Sequence, residues 1–131
     1  MDLSISTPLP PPTQYQAVRE QIALEIGCIA CLRNGRPQTR AHIFPLAIEG
    51  KSSHWHTVAL CRWHGWGIVP EGMSEILCRK RRGPSRAKQP GLFQKRFGTD
   101  AELLERQNRR VRRYCLRLGM TWHLVKLRVQ A

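Results

Sequence analysis

The chain has 131 residues, the length of one domain. Lysine and arginine total 22 against 9 aspartates and glutamates, a formal charge of +13, and 41% of the residues are hydrophobic. That balance excludes a disordered polyelectrolyte. No apolar run approaches the about 18 residues of a membrane span. The excess charge points to a polyanionic partner, nucleic acid before acidic lipid or an acidic protein surface.

Residues 1–12 hold Pro8, Pro10, Pro11 and Pro12, with neither the basic start nor the apolar stretch of a secretory leader. They read as a disordered or extended proline-rich arm, followed by a single domain over 13–131. Thr13 and Gln16 have capping-box spacing, and Tyr15, Val18, Ile22 and Ile26 recur at threes and fours, which predicts a helix over 14–26 stopped by Gly27. Cys28 to Cys31 then falls in a tight knuckle. Strands are expected over Thr39 to Phe44 and over 56–60, with a short helix from Cys61 to about Trp66. Residues 79–96 mix basic residues with Gly83, Pro84, Pro90 and Gly91 and read as a basic loop, Pro90 opening a turn or two of helix that holds Phe93 and Phe97. Thr99 with Glu102 caps the longest helix, roughly 100–118, with Leu104, Val111, Cys115 and Leu118 on its apolar side and Gly119 as its stop. Val125, Leu127 and Val129 alternate with Lys126 and Arg128 in a final strand. The fold class is therefore α+β: a small ββα unit with an N-terminal helix, a long basic helix and a C-terminal strand.

Five cysteines without a secretory leader argue against a disulfide framework. Cys28 and Cys31 are separated by two residues, and after 29 intervening residues Cys61 and His64 repeat that spacing. Three thiolates and an imidazole suit tetrahedral zinc, and two-residue spacers let each pair clamp one side of the ion. Four protein ligands leave no place for water, so the zinc would be structural. It would supply folding free energy on the order of 10 kcal/mol to a thin core. His54, His56 or Cys78 could replace His64, though none has the paired spacing. Cys78 and Cys115 read as small buried hydrophobes.

These segments together resemble the HNH (ββα-metal) nuclease superfamily, and within it the phage recombination-enhancement (Ref-like) branch. The resemblance runs over about 27–105 and rests on Gly27–Cys31, Ala41-His42-Ile43-Phe44-Pro45, Ser53-His54-Trp55, Leu60–His64, Gly83-Pro84-Ser85, Phe93–Gly98 and Asp100–Leu104. It implies a divalent catalytic metal, magnesium or manganese, and a histidine that activates water against a phosphodiester. His42 falls at the general-base position and His54 near the position that orients the base. The two catalytic-metal positions hold Ala41 and Gly65, where the branch carries ligands. A one-residue slip would make His42 a ligand but put Ile43 at the base. Two readings stay open: a fold whose nuclease centre is degenerate, or a centre rebuilt from His42, His54, His56 and Glu49. The resemblance also implies a phage-derived protein in the cytoplasm of a bacterial host.

Fourteen of the 22 basic residues and only three acids, Asp100, Glu102 and Glu105, lie between Arg79 and Arg117. Arg79, Lys80, Arg81 and Arg82, together with Arg106, Arg110, Arg113 and Arg117 recurring along one side of the long helix, are the candidate nucleic-acid contacts. Like charges at helical spacing cost about 0.2–0.5 kcal/mol per pair, which an anionic partner relieves. The expected partner is nucleic acid, double-stranded DNA first. A small basic phage protein that docks on and inhibits an acidic host protein is the competing class.

Overall fold

The computed structural model describes residues 9–119. The first helix, α1 (Gln14–Ile26), starts where the cap predicts: Gln16 N donates to the Thr13 hydroxyl at 3.2 Å and Thr13 N to Gln16 Oε1 at 2.8 Å. Gly27 ends it with φ +100°, and a Cβ there would lie 2.8 Å from the amide nitrogen of Thr39, so only glycine lets the two backbones cross. A five-residue helix, α2 (Ile29–Arg33), follows at once.

The strands β1 (His42–Pro45) and β2 (Thr57–Leu60) form an antiparallel pair in which His42 faces Leu60 and Pro45 faces Thr57. Successive residues of a strand point to opposite faces. Phe44, Val58 and Leu60 accordingly join a core with Cys28, Cys31, Cys61, Trp63, Phe93, Phe97 and Leu103. Ala59 turns the other way, into a second core with Ile22, Ala23, Val111 and Cys115. β2 is buried along its whole length because both faces are covered. Gln107 also closes its outer edge, accepting from Ala59 N at 2.9 Å.

Four more helices complete the described residues: α3 (Arg62–Trp66), α4 (Glu75–Arg82), α5 (Pro90–Phe97) and α6 (Asp100–Leu118). The capping box of Thr99 and Glu102 opens α6, and Gly119 closes it in the left-handed conformation. The class is α+β, as the sequence predicts.

Several local expectations are corrected. The Cys28–Cys31 knuckle is the first turn of α2 rather than a bare turn. The first strand begins at His42, not Thr39. Arg79, Lys80, Arg81 and Arg82 lie on a helix rather than in a loop, because Ser74 caps α4 from Leu77 N at 3.1 Å and Cys78 anchors it in the core. On α6, Leu104 packs partly buried against the core as expected, Leu103 is buried beside it, and Leu118, expected on the apolar side, is exposed. The predicted strand at 122–129 and residues 1–8 of the arm lie outside the described residues.

Candidate metal centre and basic face

Two short helices present the four predicted ligands in the same way. Cys28 caps α2, its sulfur accepting from Cys31 N at 3.4 Å, and Cys61 caps α3, its sulfur accepting from His64 N at 3.4 Å. Each knuckle thus turns backbone N–H groups toward sulfur, which favours thiolate. The four ligand atoms lie within 4.8 Å of one another and all four residues are buried. Around a tetrahedral ion with metal–sulfur bonds of about 2.3 Å, sulfurs sit about 3.8 Å apart and sulfur to nitrogen about 3.6 Å. Cys31 Sγ to Cys61 Sγ is 3.8 Å, and His64 Nδ1 lies 3.6, 3.5 and 3.2 Å from the sulfurs of Cys28, Cys31 and Cys61. The set can hold a metal ion and is compatible with structural zinc.

The imidazole is oriented from behind. His64 Nε2 donates to the Arg82 carbonyl at 2.9 Å, which turns Nδ1 toward the sulfurs, where it would bind a metal ion on losing its proton. Phe97 stands edge-on to the ring at 5.1 Å. Burial pushes the Cys28 thiol up, while hydrogen bonds from Cys28 and Cys31 hold Cys61 well below the ordinary thiol range. Burial opposes charge on His64, but its hydrogen bonds to Cys31 and Cys61 raise it to about 9. The groups compete for protons, a conflict that a dication resolves by displacing them. Cys78 and Cys115 stand apart in the two cores, their thiols pushed up by burial.

The positions singled out for catalysis do not converge in the same manner. His42 sits on β1 with its ring 4.8 Å from Trp66, and its Nε2 is enclosed without a partner. Trp66 also lies 4.8 Å from the Phe44 ring. A Cβ at Gly65 would lie 2.0 Å from Phe44 Cζ, so that side of α3 is filled by the phenyl ring. Ala41 packs against both cores. His54 is engaged toward α1: its Nδ1 is 2.8 Å from Glu20 Oε2 and its Nε2 2.8 Å from the Pro10 carbonyl. His56 Nδ1 is enclosed without a partner, and Glu49 is exposed in a turn with φ +54°.

A buried polar network adjoins His54 and went unread in the sequence. Arg19, 2% exposed, donates from Nε and Nη2 to Asn108 Oδ1 at 3.0 and 2.8 Å. Its Nη1 donates to the Thr57 hydroxyl at 2.9 Å and its Nη2 to the Thr57 carbonyl at 3.0 Å. The Thr57 hydroxyl donates to Glu20 at 3.1 Å. Burial lowers the Arg19 pKa to about 10, with Glu20 opposing the shift. The available signal was the position of Arg19, one turn before Ile22 and Ala23 on the buried side of α1.

The basic residues divide by environment. Arg79 is bound to Glu75 at 2.6 Å, and Lys88 reaches the same carboxylate at 2.7 Å. Lys80 and Arg81 are exposed, while Arg82 is half-buried. On α6, Arg113 and Arg117 are exposed, whereas Arg106 and Arg110 are half-buried, so the expected stripe is not uniformly open. Arg86 binds Asp100 at 3.1 Å.

The model of one protein family, described as recombination enhancement, RecA-dependent nuclease, matches residues 12–112. That span includes all four metal-ligand candidates and most of α6. No curated protein and no solved structure matches. Among the described residues no helix is long and apolar enough to cross a membrane.

Proposed function

The chain belongs to the recombination-enhancement, RecA-dependent nuclease family, and from that premise we propose that it is a zinc-stabilised, HNH-like protein that binds double-stranded DNA through its basic helices and whose nuclease centre is degenerate. Zinc holds Cys28, Cys31, Cys61 and His64 and fixes the hairpin against α3. Exposed arginines of α4 and α6 neutralise phosphates. In this reading residues 13–131 act as one unit.

The filled space beside Gly65 carries the degenerate reading. The resemblance gives position 65 to a second metal histidine and position 41 to the residue that ligates from β1. Here Phe44 occupies the first place, Ala41 offers no ligand at the second, and Trp66 covers His42. The residues present therefore do not fit a catalytic magnesium or manganese ion, which seeks several oxygen ligands. One observation favours the active alternative: the enclosed Nε2 of His42 has no partner, as a base awaiting a proton would. A single imidazole does not assemble the site, and no hydrolytic step is derived from it.

A supercoiled-plasmid assay with magnesium or manganese tests the proposal. The expected result is retardation of duplex DNA without nicking, and one zinc per chain by elemental analysis. Nicking that His42→Ala abolishes would establish the active alternative instead.

A further inference from the structure

A shallow cleft of about 480 Å³ opens between α4 and α5, lined by Arg79, Pro84, Gln89, Leu92, Lys95 and Arg96. It combines two kinds of surface. Leu92 is 54% exposed. Ile76, one turn before Arg79 on the same side of α4, is 80% exposed, more than any other large apolar side chain among the described residues. Pro84 adds apolar surface between the two helices. Around these stand cations: Arg79 from α4, and Lys95 and Arg96, which follow Leu92 by three and four residues and so share its side of α5. Among the described residues no carboxylate lines the cleft.

Part of the rim is already held in place. Glu75 binds Arg79 at 2.6 Å and Lys88 at 2.7 Å, so its charge is engaged. Asn34 Oδ1 accepts from Arg96 Nη2 at 3.2 Å, and the Arg96 guanidinium lies 5.6 Å from the centre of the Phe97 ring. Neither Lys95 nor Arg96 has an ion pair among the described residues. Phosphates would satisfy those cations but leave Ile76 and Leu92 in water. Nucleobases stack on aromatic rings, and both phenylalanines of α5, Phe93 and Phe97, are buried. A second copy of the chain, with its formal charge of +13, would be repelled. An aliphatic floor with a cationic rim is matched by an acidic protein segment that carries aliphatic side chains.

We propose that the cleft between α4 and α5 docks an acidic segment of a partner protein, with its aliphatic side chains against Ile76, Pro84 and Leu92 and its carboxylates on Lys95 and Arg96. The docking surface goes beyond the nucleic-acid reading above and stands independently of it. The aliphatic contacts supply affinity, and the cations select the sign of the partner's charge. Arg113, on α6, does not line the cleft.

The test is methyl and amide NMR of the full, metal-loaded chain, titrated separately with three probes. They are a short polyglutamate peptide carrying two leucines one helical turn apart, a copy with both leucines changed to serine, and a duplex oligonucleotide. The leucine peptide should move the Ile76, Leu92 and Lys95 signals together and saturably. Burying one leucine is worth about tenfold or more in affinity, so the serine copy should bind at least about tenfold more weakly. Leu92→Ser should weaken the leucine peptide about tenfold and leave duplex affinity unchanged. Lys95→Glu should also weaken the peptide, whereas Arg113→Gln should not. Leu92 and Lys95 are exposed, so both variants should fold, which circular dichroism checks. Equal binding of the two peptides would overturn the proposal, since charge alone would then account for it. So would silence at Ile76 and Leu92 with the leucine peptide. Duplex moving those signals in its place would make the cleft a nucleic-acid contact, and shifts that grow with the concentration of the free chain would give it to a second copy; either result overturns the proposal.

Discussion

Replacing Gly65 by alanine tests whether the space beside α3 is closed. The new methyl carbon would lie 2.0 Å from Phe44 Cζ and 2.4 Å from its Cε1. Ordinary carbon–carbon contact is about 3.5–4.0 Å, so the ring must move by well over an ångström. Overpacking of a core costs about 1–3 kcal/mol, and the closeness of this contact places it near about 3 kcal/mol. Gly65 is helical, so alanine also gains about 1 kcal/mol of helix propensity, leaving Gly65→Ala destabilising by about 2 kcal/mol. Phe44→Ala alone should cost about 3–5 kcal/mol through its cavity. In that background the clash is gone while the propensity gain remains, so Gly65→Ala should reverse sign and stabilise by about 1 kcal/mol. Urea unfolding of the four zinc-loaded proteins measures the cycle. Equal destabilisation by Gly65→Ala with and without the phenyl ring would refute the claim that Phe44 excludes a side chain at position 65.

Other outcomes follow from the same coordinates. Cys61→Ser or exhaustive chelation should unfold the chain, since about 10 kcal/mol of binding free energy is lost, and circular dichroism after metal removal would detect a folded apoprotein if that is wrong. Asn108→Ala strips the acceptor shared by two nitrogens of buried Arg19 and should cost about 3 kcal/mol, while Asn108→Asp keeps the acceptor; equal loss in both would deny the hydrogen bonds their role. Backbone and side-chain hydrogen bonds from Thr99 hold the Glu102 carboxylate below its ordinary range, so its contribution is complete above the unfolded value and is lost as pH falls through the folded one. Wild type should therefore exceed Glu102→Gln in stability near about pH 7 and converge with it towards about pH 3; a gap that widens on acidification would contradict the sign.

The candidate metal ligands were legible because such chemistry imposes spacing: two residues between Cys28 and Cys31, and again between Cys61 and His64, let one turn of chain deliver both donors of a pair. Helices with chemical punctuation were equally legible, as Thr13, Thr99, Gly27 and Gly119 show. α4 was not, because four consecutive basic residues beside Gly83 and Pro84 look like a loop, and its cap, Ser74, precedes a helix with only one buried residue. The Arg19 network was hidden for another reason. A buried guanidinium is tolerated only where long-range partners satisfy it, and Thr57 and Asn108 lie 38 and 89 residues away. The packing of Phe44 and Trp66 around Gly65 and His42 likewise depends on how the strand lies against α3, which no local pattern encodes.

His64 and Gly65 are neighbours on α3, yet they answer to different constraints. His64 is enclosed by three sulfurs, the edge of Phe97 and the Arg82 carbonyl, so its replacement would break the metal centre and release the end of α4. Gly65 faces the hairpin, with the Phe44 ring lying against it. The two sides of α3 are therefore packed independently, the candidate ligands on one and the Phe44 ring on the other. Asn34, at the end of α2, and His64, on α3, both donate to the Arg82 carbonyl, so the end of α4 is tied to the two helices that carry the candidate ligands.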